Sequence, residues 1–487
     1  MRFDNRDDFR VLGGLLNKIK TLHSTDPAVL SQRLLYLIRP HPVFADQYKF
    51  ISSNNIFWAF IKAVSLFTTF FIYAFINCFS RSTNSTAKGI DHSANSLFIS
   101  HHVSEQVLRD DFYFNNWTDF FLNRGESVDF LYFEASPSNK FPDVRPNSKI
   151  RSSFVPLSLG FFDEIKIFSS LFFASFKFFR SFVYSKNKLE KIIYLKLFSQ
   201  TFSKSSFINL RFYFVLLNKL KASNYKRVFF TFEGHAWETM LILAVQKTNK
   251  KLKTYGYQHS AVFKDQISLL NPISSIIPSG ILTSGEGNNI FFTEYQKHGA
   301  DIFSIGTSRT HQIKALTNQA EHVCLLVPEG IDSEIDLMSN FIFECDALKN
   351  KILFIIQLHP ASKNTKIVQD LIKKMQKTDD HINISISDMP LEESINHAQY
   401  VLYRGSTAVV KCIMSGLIPL YLDTNRSDNI DPIYWTKKMH VNSPESLEMI
   451  ILNTPFSSHQ NNLKSIQAKC SHYFEPLNLD TLNKLRL

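Results

Sequence analysis

Apolar and polar residues alternate along this chain in two successive rhythms of short apolar runs and amphipathic stretches. The first begins at SLFISHH (96–102), read as a strand that ends in two histidines. The stretch 104–123 reads as a helix with Asp110-Asp111 inside it, and SVDFLYFE (127–134) reads as the next strand. After a long interruption come the strand KRVFFTFEGH (226–235), a helix over 236–247, the strands KTYGYQHS (253–260) and GILTSG (280–285), a helix near 288–298 and the strand DIFSIG (301–306). A connector covers 307–320. The second series runs HVCLLVPEG (322–330), helix 332–348, KILFIIQLHP (351–360), helix 366–375, INISISD (382–388), a short helix 391–398, YVLYRGS (400–406), helix 407–415 and LIPLYLD (417–423). Near-continuous apolar strands alternating with helices predict parallel sheets covered on both faces. The fold class expected is therefore α/β, with two doubly wound, Rossmann-like domains facing a cleft. The expected boundaries are a helical extension over 1–95, a first domain over 96–310, a second over 321–440 and a helical tail over 441–487.

Two stretches depart from this rhythm. IFWAFIKAVSLFTTFFIYAFINCF (56–79) is long enough to cross a bilayer, yet it carries Lys62, Ser65, Thr68, Thr69 and Asn77. Both a crossing helix and a buried or interfacial one remain open. FFDEIKIFSSLFFASFKFFRSFV (161–183) is amphipathic instead. Phe161, Ile165, Phe168, Phe172, Phe176, Phe179 and Val183 share one helical face, and Asp163, Lys166, Ser170, Lys177 and Ser181 the other. The surrounding region from Lys140 to Arg227 holds 17 Lys/Arg and 4 Asp/Glu, whereas the whole chain is +11, so essentially all the excess charge sits here. A cationic, Phe-rich insertion predicts contact with an anionic membrane surface through Phe161, Lys166, Phe168, Phe172, Phe176, Lys177, Phe179 and Arg180. A solvated face on a core helix is the plainer alternative. No nucleic-acid partner is expected, because the aromatics form a continuous apolar stripe and not single stacking residues.

At 487 residues the chain is too long for one ordinary core. The 20% charged and 44% hydrophobic content excludes disordered and collagen-like classes. Cys78, Cys324, Cys345, Cys412 and Cys470 form no CxxC pair, which argues against a zinc ribbon or a disulfide scaffold and for reduced thiols. The first ten residues are charged and lack the apolar core of a secretory signal.

Ligands of doubly wound sheets bind beyond the carboxyl ends of the strands, so the residues just after each strand matter most. Glu233-Gly234-His235 follows RVFFTF, and Gly234 allows a sharp turn into the next helix. A carboxylate at that place faces the cleft. His101 and His259 end neighbouring strands. In the second series the strand ends carry Glu329-Gly330, His359-Pro360 and Arg404-Gly405-Ser406-Thr407. Backbone N–H groups and hydroxyls at a helix start can receive an anion. Each residue also has an ordinary structural reading, as a cap, a loop acid or a surface histidine. No acidic pair stands at a strand end, and no metal site is expected.

Acid-Gly in the first series, then His-Pro, then Ser-Thr in the second, resembles the motifs of bacterial sialyltransferase-type enzymes of the GT-B fold and of related Kdo and nonulosonic acid transferases. FEGHAWE, YGYQHS, VPEG, QLHP and YRGST also look like a bacterial surface-carbohydrate biosynthesis family, with the resemblance covering roughly 96–425. The first acid of the family motif is Phe232 here. The resemblance implies a glycosyltransferase with a CMP-sugar donor, no cofactor or metal, and a glycan or lipid-linked acceptor. Glu233 would be the general base, its pKa raised by burial in the cleft, with His359, Pro360, Ser406 and Thr407 at the CMP phosphate. Arg404 would help neutralise the phosphate or the donor carboxylate, with Gly405 beside it, Glu329 and Gly330 would contact cytidine or ribose, and His101, Gly234, His235 and His259 would line the acceptor side. It further implies the cytoplasmic face of a bacterial inner membrane, held peripherally or by one apolar anchor. A UDP-sugar transferase or epimerase of the same fold, and a non-catalytic scaffold of a glycan assembly complex, are the competing readings.

Overall fold

The computed structural model describes residues 6–36, 45–52, 55–80, 94–101, 111, 113–114, 117–133, 150–156, 158–248, 251–264, 266–308, 322–345, 351–359, 362–377, 383–423 and 430–485. Seven strands form the first sheet: β1 (Ser96–Ser100), β2 (Val128–Tyr132), β3 (Ile150–Phe154), β4 (Arg227–Thr231), β5 (Lys253–Gln258), β6 (Gly280–Thr283) and β7 (Asp301–Ser304). Their order is β3-β2-β1-β4-β5-β6-β7, and every pairing is parallel. The second sheet contains β8 (His322–Val327), β9 (Ile352–Ile356), β10 (Ile384–Ile386), β11 (Tyr400–Tyr403), β12 (Ile418–Leu422) and β13 (Met439–Val441), in the order β10-β9-β8-β11-β12-β13, again all parallel. Both orders reverse direction once, at β1/β4 and at β8/β11. Such a reversal opens a crevice at the carboxyl edge, because the connections on its two sides leave in opposite directions.

The strands read as continuous apolar runs because both faces are covered. On β4, Val228 and Phe230 point into one core with Leu97, Ile99 and Trp237, while Phe229 points into another with Phe98, Trp117 and Tyr257. That is the two-residue period of a pleated strand with both sides buried. The second sheet has its own core around Leu325, Val401, Ile413 and Leu420. The two-domain, doubly wound α/β architecture expected from the sequence is the one the chain adopts.

Several details differ from expectation. The Lys140–Arg227 region contains β3, whose sequence IRSSF is too polar to read as a strand, and three long helices, Phe161–Tyr184, Lys188–Gln200 and Lys204–Lys221. Residues 6–36 pack into the core of the first sheet through Leu12, Leu16, Ile19, Leu30 and Leu34. The helix expected over 104–123 is seen as Trp117–Leu122. Asp111 precedes that helix and accepts from the backbone N–H groups of Tyr113 and Phe114, both at 2.9 Å; Asp110 lies outside the described residues, as does Pro360. Cys324, Cys345, Cys412 and Cys470 are buried thiols, and burial pushes Cys412 and Cys470 up to about 12. The side chain of Cys78 is outside the described residues.

The chain also returns. The Phe456–Tyr473 helix packs on the Ala408–Met414 helix of the second domain, and the chain then crosses to the first. Glu475 N–H donates to Ser284 O, Thr307 N–H to Glu475 O and Asn478 N–H to Ile305 O, each at 2.8 Å. Beyond the crossing, Leu482 and Leu485 enter the core that holds Phe98 and Trp117. The two domains therefore meet at a built junction. Trp435 stacks on Tyr473 at 4.1 Å between centroids, and Phe291 approaches Tyr434 at 6.5 Å. Phe291 follows β6 and Tyr434 follows β12, so segments beyond the carboxyl ends of both sheets touch here.

Candidate functional site

Glu233 lies just past β4, at the switch point of the first sheet. Gly234 makes the turn with φ of +85°; a Cβ there would come within 2.7 Å of Ser268 Oγ and 2.8 Å of Leu269 N. Both the left-handed backbone and the close approach require glycine. The turn is locked by Glu238, in the first turn of the Ala236–Thr248 helix. Its buried carboxylate accepts from the N–H groups of Glu233 (2.9 Å), Gly234 (2.8 Å) and His235 (3.0 Å). Burial pushes the Glu238 carboxyl well up, against the pull of these three donors. Gln266, also buried, donates to Glu233 O at 2.9 Å.

This frame aims the Glu233 carboxylate at two histidines and a serine. Oε2 lies 3.1 Å from His235 Nε2. Oε1 accepts from Ser260 Oγ at 2.8 Å and lies 3.5 Å from His259 Nε2. The side chain of Glu233 is 29% exposed and that of His235 31%, whereas His259 is nearly buried. The Tyr113 ring covers His259 at 4.4 Å, and His101, at the end of β1, sits 6.3 Å from the His235 ring and 5.4 Å from Trp237. Two of the expected cleft residues, His235 and His259, thus converge on the Glu233 carboxylate from adjacent strand ends, and His101 stands beside His235 from a third. The expected rise in the Glu233 pKa is corrected. Burial does push it up, but the hydrogen bond from His235, the charges of His259 and His235, and the Ser260 hydroxyl outweigh burial and hold it below the usual carboxylate range. Glu233 is a stable anion, suited to orienting an imidazole and stabilising it when protonated.

The second sheet gathers its candidates at its own switch point. Glu329 follows β8 and Gly405 follows β11; a Cβ on Gly405 would collide with the Glu329 carboxylate. The His359 ring, beyond β9, packs against Gly330, where an added Cβ would lie 2.9 Å from its Cγ. His359 is otherwise exposed. Desolvation lowers its pKa, with the charge of Glu329 opposing. Ser406 is half-buried and Thr407 exposed, at the start of the Ala408–Met414 helix, and the Thr407 hydroxyl makes no capping hydrogen bond. Arg404 differs from expectation: it is 1% exposed, with Nε 3.3 Å from Glu334 Oε2. A guanidinium buried against a carboxylate is not presented to a phosphate or a donor carboxylate. Its place is to tie the Arg404–Thr407 loop to the Asp332–Phe343 helix.

Ser260, Glu238, Gln266 and Tyr113 belong to the first site but did not stand out in the sequence. Glu238 had a signal, an acid three residues beyond the position that precedes the helix, the spacing of a capping box. His235 at that preceding position, in place of Ser or Thr, hid it. Among the described residues, Glu286, His472 and Glu475 place potential metal-ligand atoms within 4.8 Å of one another. They lie at the domain crossing, and two of the three are exposed.

No family model matches the chain. No curated protein matches it in sequence. Similar solved structures include alpha,alpha-trehalose 6-phosphate synthase from Burkholderia multivorans, at 10% identity and TM-score 0.46, covering 81% of this chain and 96% of that one. The glycosyltransferase SnogD from Streptomyces nogalater matches at 12% identity and TM-score 0.44, over 81% of this chain and 99% of that one. Anabaena Alr3699/HepE, in complex with UDP and glucose, matches at 9% identity and TM-score 0.43, over 81% and 98%. Likenesses this low in identity and TM-score say nothing about the chemistry of the site.

Proposed function

We propose that this chain is a GT-B glycosyltransferase that moves a sugar from a CMP-activated donor, a sialic-acid-like nonulosonic acid or Kdo, to a glycan or lipid-linked hydroxyl. The observation that carries the transferase reading is the Glu233 carboxylate held as an anion by His235, His259 and Ser260 at the switch point of the first sheet. His359, Ser406 and Thr407 stand at the corresponding place in the second. In the reaction, the acceptor hydroxyl gives its proton to the Glu233–His235 pair, with the imidazole taking it and the carboxylate stabilising the cation. The acceptor oxygen bonds to the anomeric carbon as the bond from that carbon to the phosphate oxygen breaks. The leaving phosphate keeps the electron pair and is met by hydrogen bonds from His359, Ser406 and Thr407. Side-chain donors take the part of a metal in this scheme, so activity is expected to survive EDTA.

The choice of CMP rests on the order of the three motifs. A UDP-sugar donor is the second reading, and the burial of Arg404 against Glu334 favours keeping it. A nonulosonic donor carries its own carboxylate, which needs a cation; a UDP-hexose does not. Thermal stabilisation with CMP, UDP, GDP and ADP in parallel decides. A nucleotide at about 100 times its Kd adds roughly 2.7 kcal/mol. CMP alone raising the Tm supports the donor proposed, UDP alone replaces it, and no response to any of the four removes the transferase reading.

A further inference from the structure

The two apolar stretches of the sequence, 56–79 and 161–183, form one surface. The Ile56–Ser80 helix lies alongside the Phe161–Tyr184 helix and runs antiparallel to it. Phe60 meets Phe182 at 5.9 Å between centroids, while Phe71 and Phe75 meet Phe168 at 5.3 and 6.1 Å. Phe168 is thus partly occupied between helices, and the fully buried stripe of its helix is Ile167, Leu171, Ala174 and Phe178. The first helix is built inside out for a protein in water. Its small residues Ala59, Ala63 and Ala74 face inward, and Phe57, Trp58, Ile72, Tyr73 and Ile76 face outward. Its neighbour adds Phe162, Phe173, Phe176, Val183 and Tyr184, with Phe162 at 77% and Phe173 at 65% exposure. An apolar face of this extent marks a contact surface.

Charge identifies the occupant. Lys62 is exposed on the first helix, and Arg180, Lys186 and Lys188 are exposed on or beside the second, in the region that holds the chain's positive excess. We propose that the helix pair is an in-plane docking surface for an anionic lipid bilayer, and that Ile56–Ser80 does not cross it. Length and composition alone would let that helix cross. Its packing does not. Along its length it is joined to a helix carrying Asp163, Lys166, Lys177 and Arg180, and that helix is pinned by the fork from Arg211 to the buried Glu164, at 2.7 and 2.9 Å. A crossing would drag those charges into hydrocarbon. Lying flat, both helices bury their aromatics at the headgroup boundary and keep their cations at its surface. The Phe161–Tyr184 helix starts just beyond β3, at the sheet edge that carries Glu233. A docked molecule therefore holds that edge near the lipid, which suits a lipid-linked acceptor; this last clause alone rests on the transferase reading.

The test needs no substrate. The full chain is mixed with vesicles of phosphatidylcholine, with and without about 30% phosphatidylglycerol. Binding to the anionic vesicles and a blue shift of Trp58 emission are expected. Trp58 is 63% exposed, while Trp117 and Trp237 are buried. The triple variant Arg180→Gln, Lys186→Gln, Lys188→Gln should bind about 100-fold more weakly, roughly fivefold per cation, with an unchanged melting curve. Depth-dependent quenching by brominated lipids then separates lying from crossing. Trp58, and the indole of a Trp58→Phe, Tyr73→Trp variant, should report the same shallow depth. A crossing helix would set them about 22 Å apart. Unequal depths, no vesicle binding, or equal binding by the triple variant each overturn the proposal. So does a stable dimer in which Trp58 is already blue-shifted without lipid, since the face would then be an interface between copies.

Discussion

Glu233 shows what a single carboxylate gains from its neighbours. Each oxygen is met by a donor, so the anion is the favoured state and proton uptake passes to the imidazole beside it. Glu233→Gln keeps the shape but loses the charge that stabilises protonated His235. Turnover is expected to fall by about 10²–10⁴-fold, with nucleotide-induced stabilisation intact. The pH dependence follows from the sign of the shift. The folded pKa of Glu233 is depressed, so the carboxylate stays ionised as pH falls through the usual glutamate range. The acid limb of the rate profile should therefore belong to an imidazole and not to a carboxylic acid, a difference visible in kcat against pH between 4 and 8, a span that brackets the usual Glu and His pKa values. An acid limb centred in the ordinary glutamate range, abolished in Glu233→Gln, would return the proton to Glu233 itself.

At the scale of elements, the turn from β4 into the Ala236–Thr248 helix carries the first site, and Gly234 is its weak point. Gly234→Ala must place a Cβ at positive φ and against Leu269 N, a backbone atom that cannot step aside. A loss of roughly 2 kcal/mol or more is expected, read by denaturant unfolding, together with loss of activity beyond the fraction unfolded. This turn was legible in the sequence because an apolar run followed by acid-Gly and then an amphipathic stretch leaves little else to build. So were most of the other strands of the two sheets, whose residues are apolar on both faces. β3 was not legible: IRSSF sits at the sheet edge, half-covered, where polar residues are tolerated and no apolar run is needed. Arg404 was misread for a related reason. Its position after β11 was correct, but whether a side chain at a strand end turns outward or inward depends on Glu334, seventy positions away in sequence. The two long apolar stretches were each recognised, while their side-by-side packing, which decides between crossing and lying flat, depends on contacts more than ninety residues apart.

For the whole molecule, the junction between domains is the crossing segment and the Phe291 ring of the first domain set against Tyr434 and Tyr473 of the second. Phe291 on Tyr473, at 6.2 Å between centroids, is an aromatic pair worth about 0.5–1.5 kcal/mol beyond its buried area. Phe291→Ala should separate the unfolding of the two domains into distinct transitions in calorimetry, and a single unchanged transition would mean that the crossing segment alone couples them. The crossing also has a bearing on synthesis. Leu482 and Leu485 complete the core around Phe98 and Trp117, and the Leu485 carbonyl accepts from Arg227 Nη1 at 3.4 Å, yet both leucines emerge from the ribosome only after the entire second sheet. The first sheet can collapse on the nascent chain but cannot close that face until translation has passed the second domain. Until then Phe98, Phe121 and Trp117 lack their last partners, and the second domain becomes, in order of birth, the first able to finish.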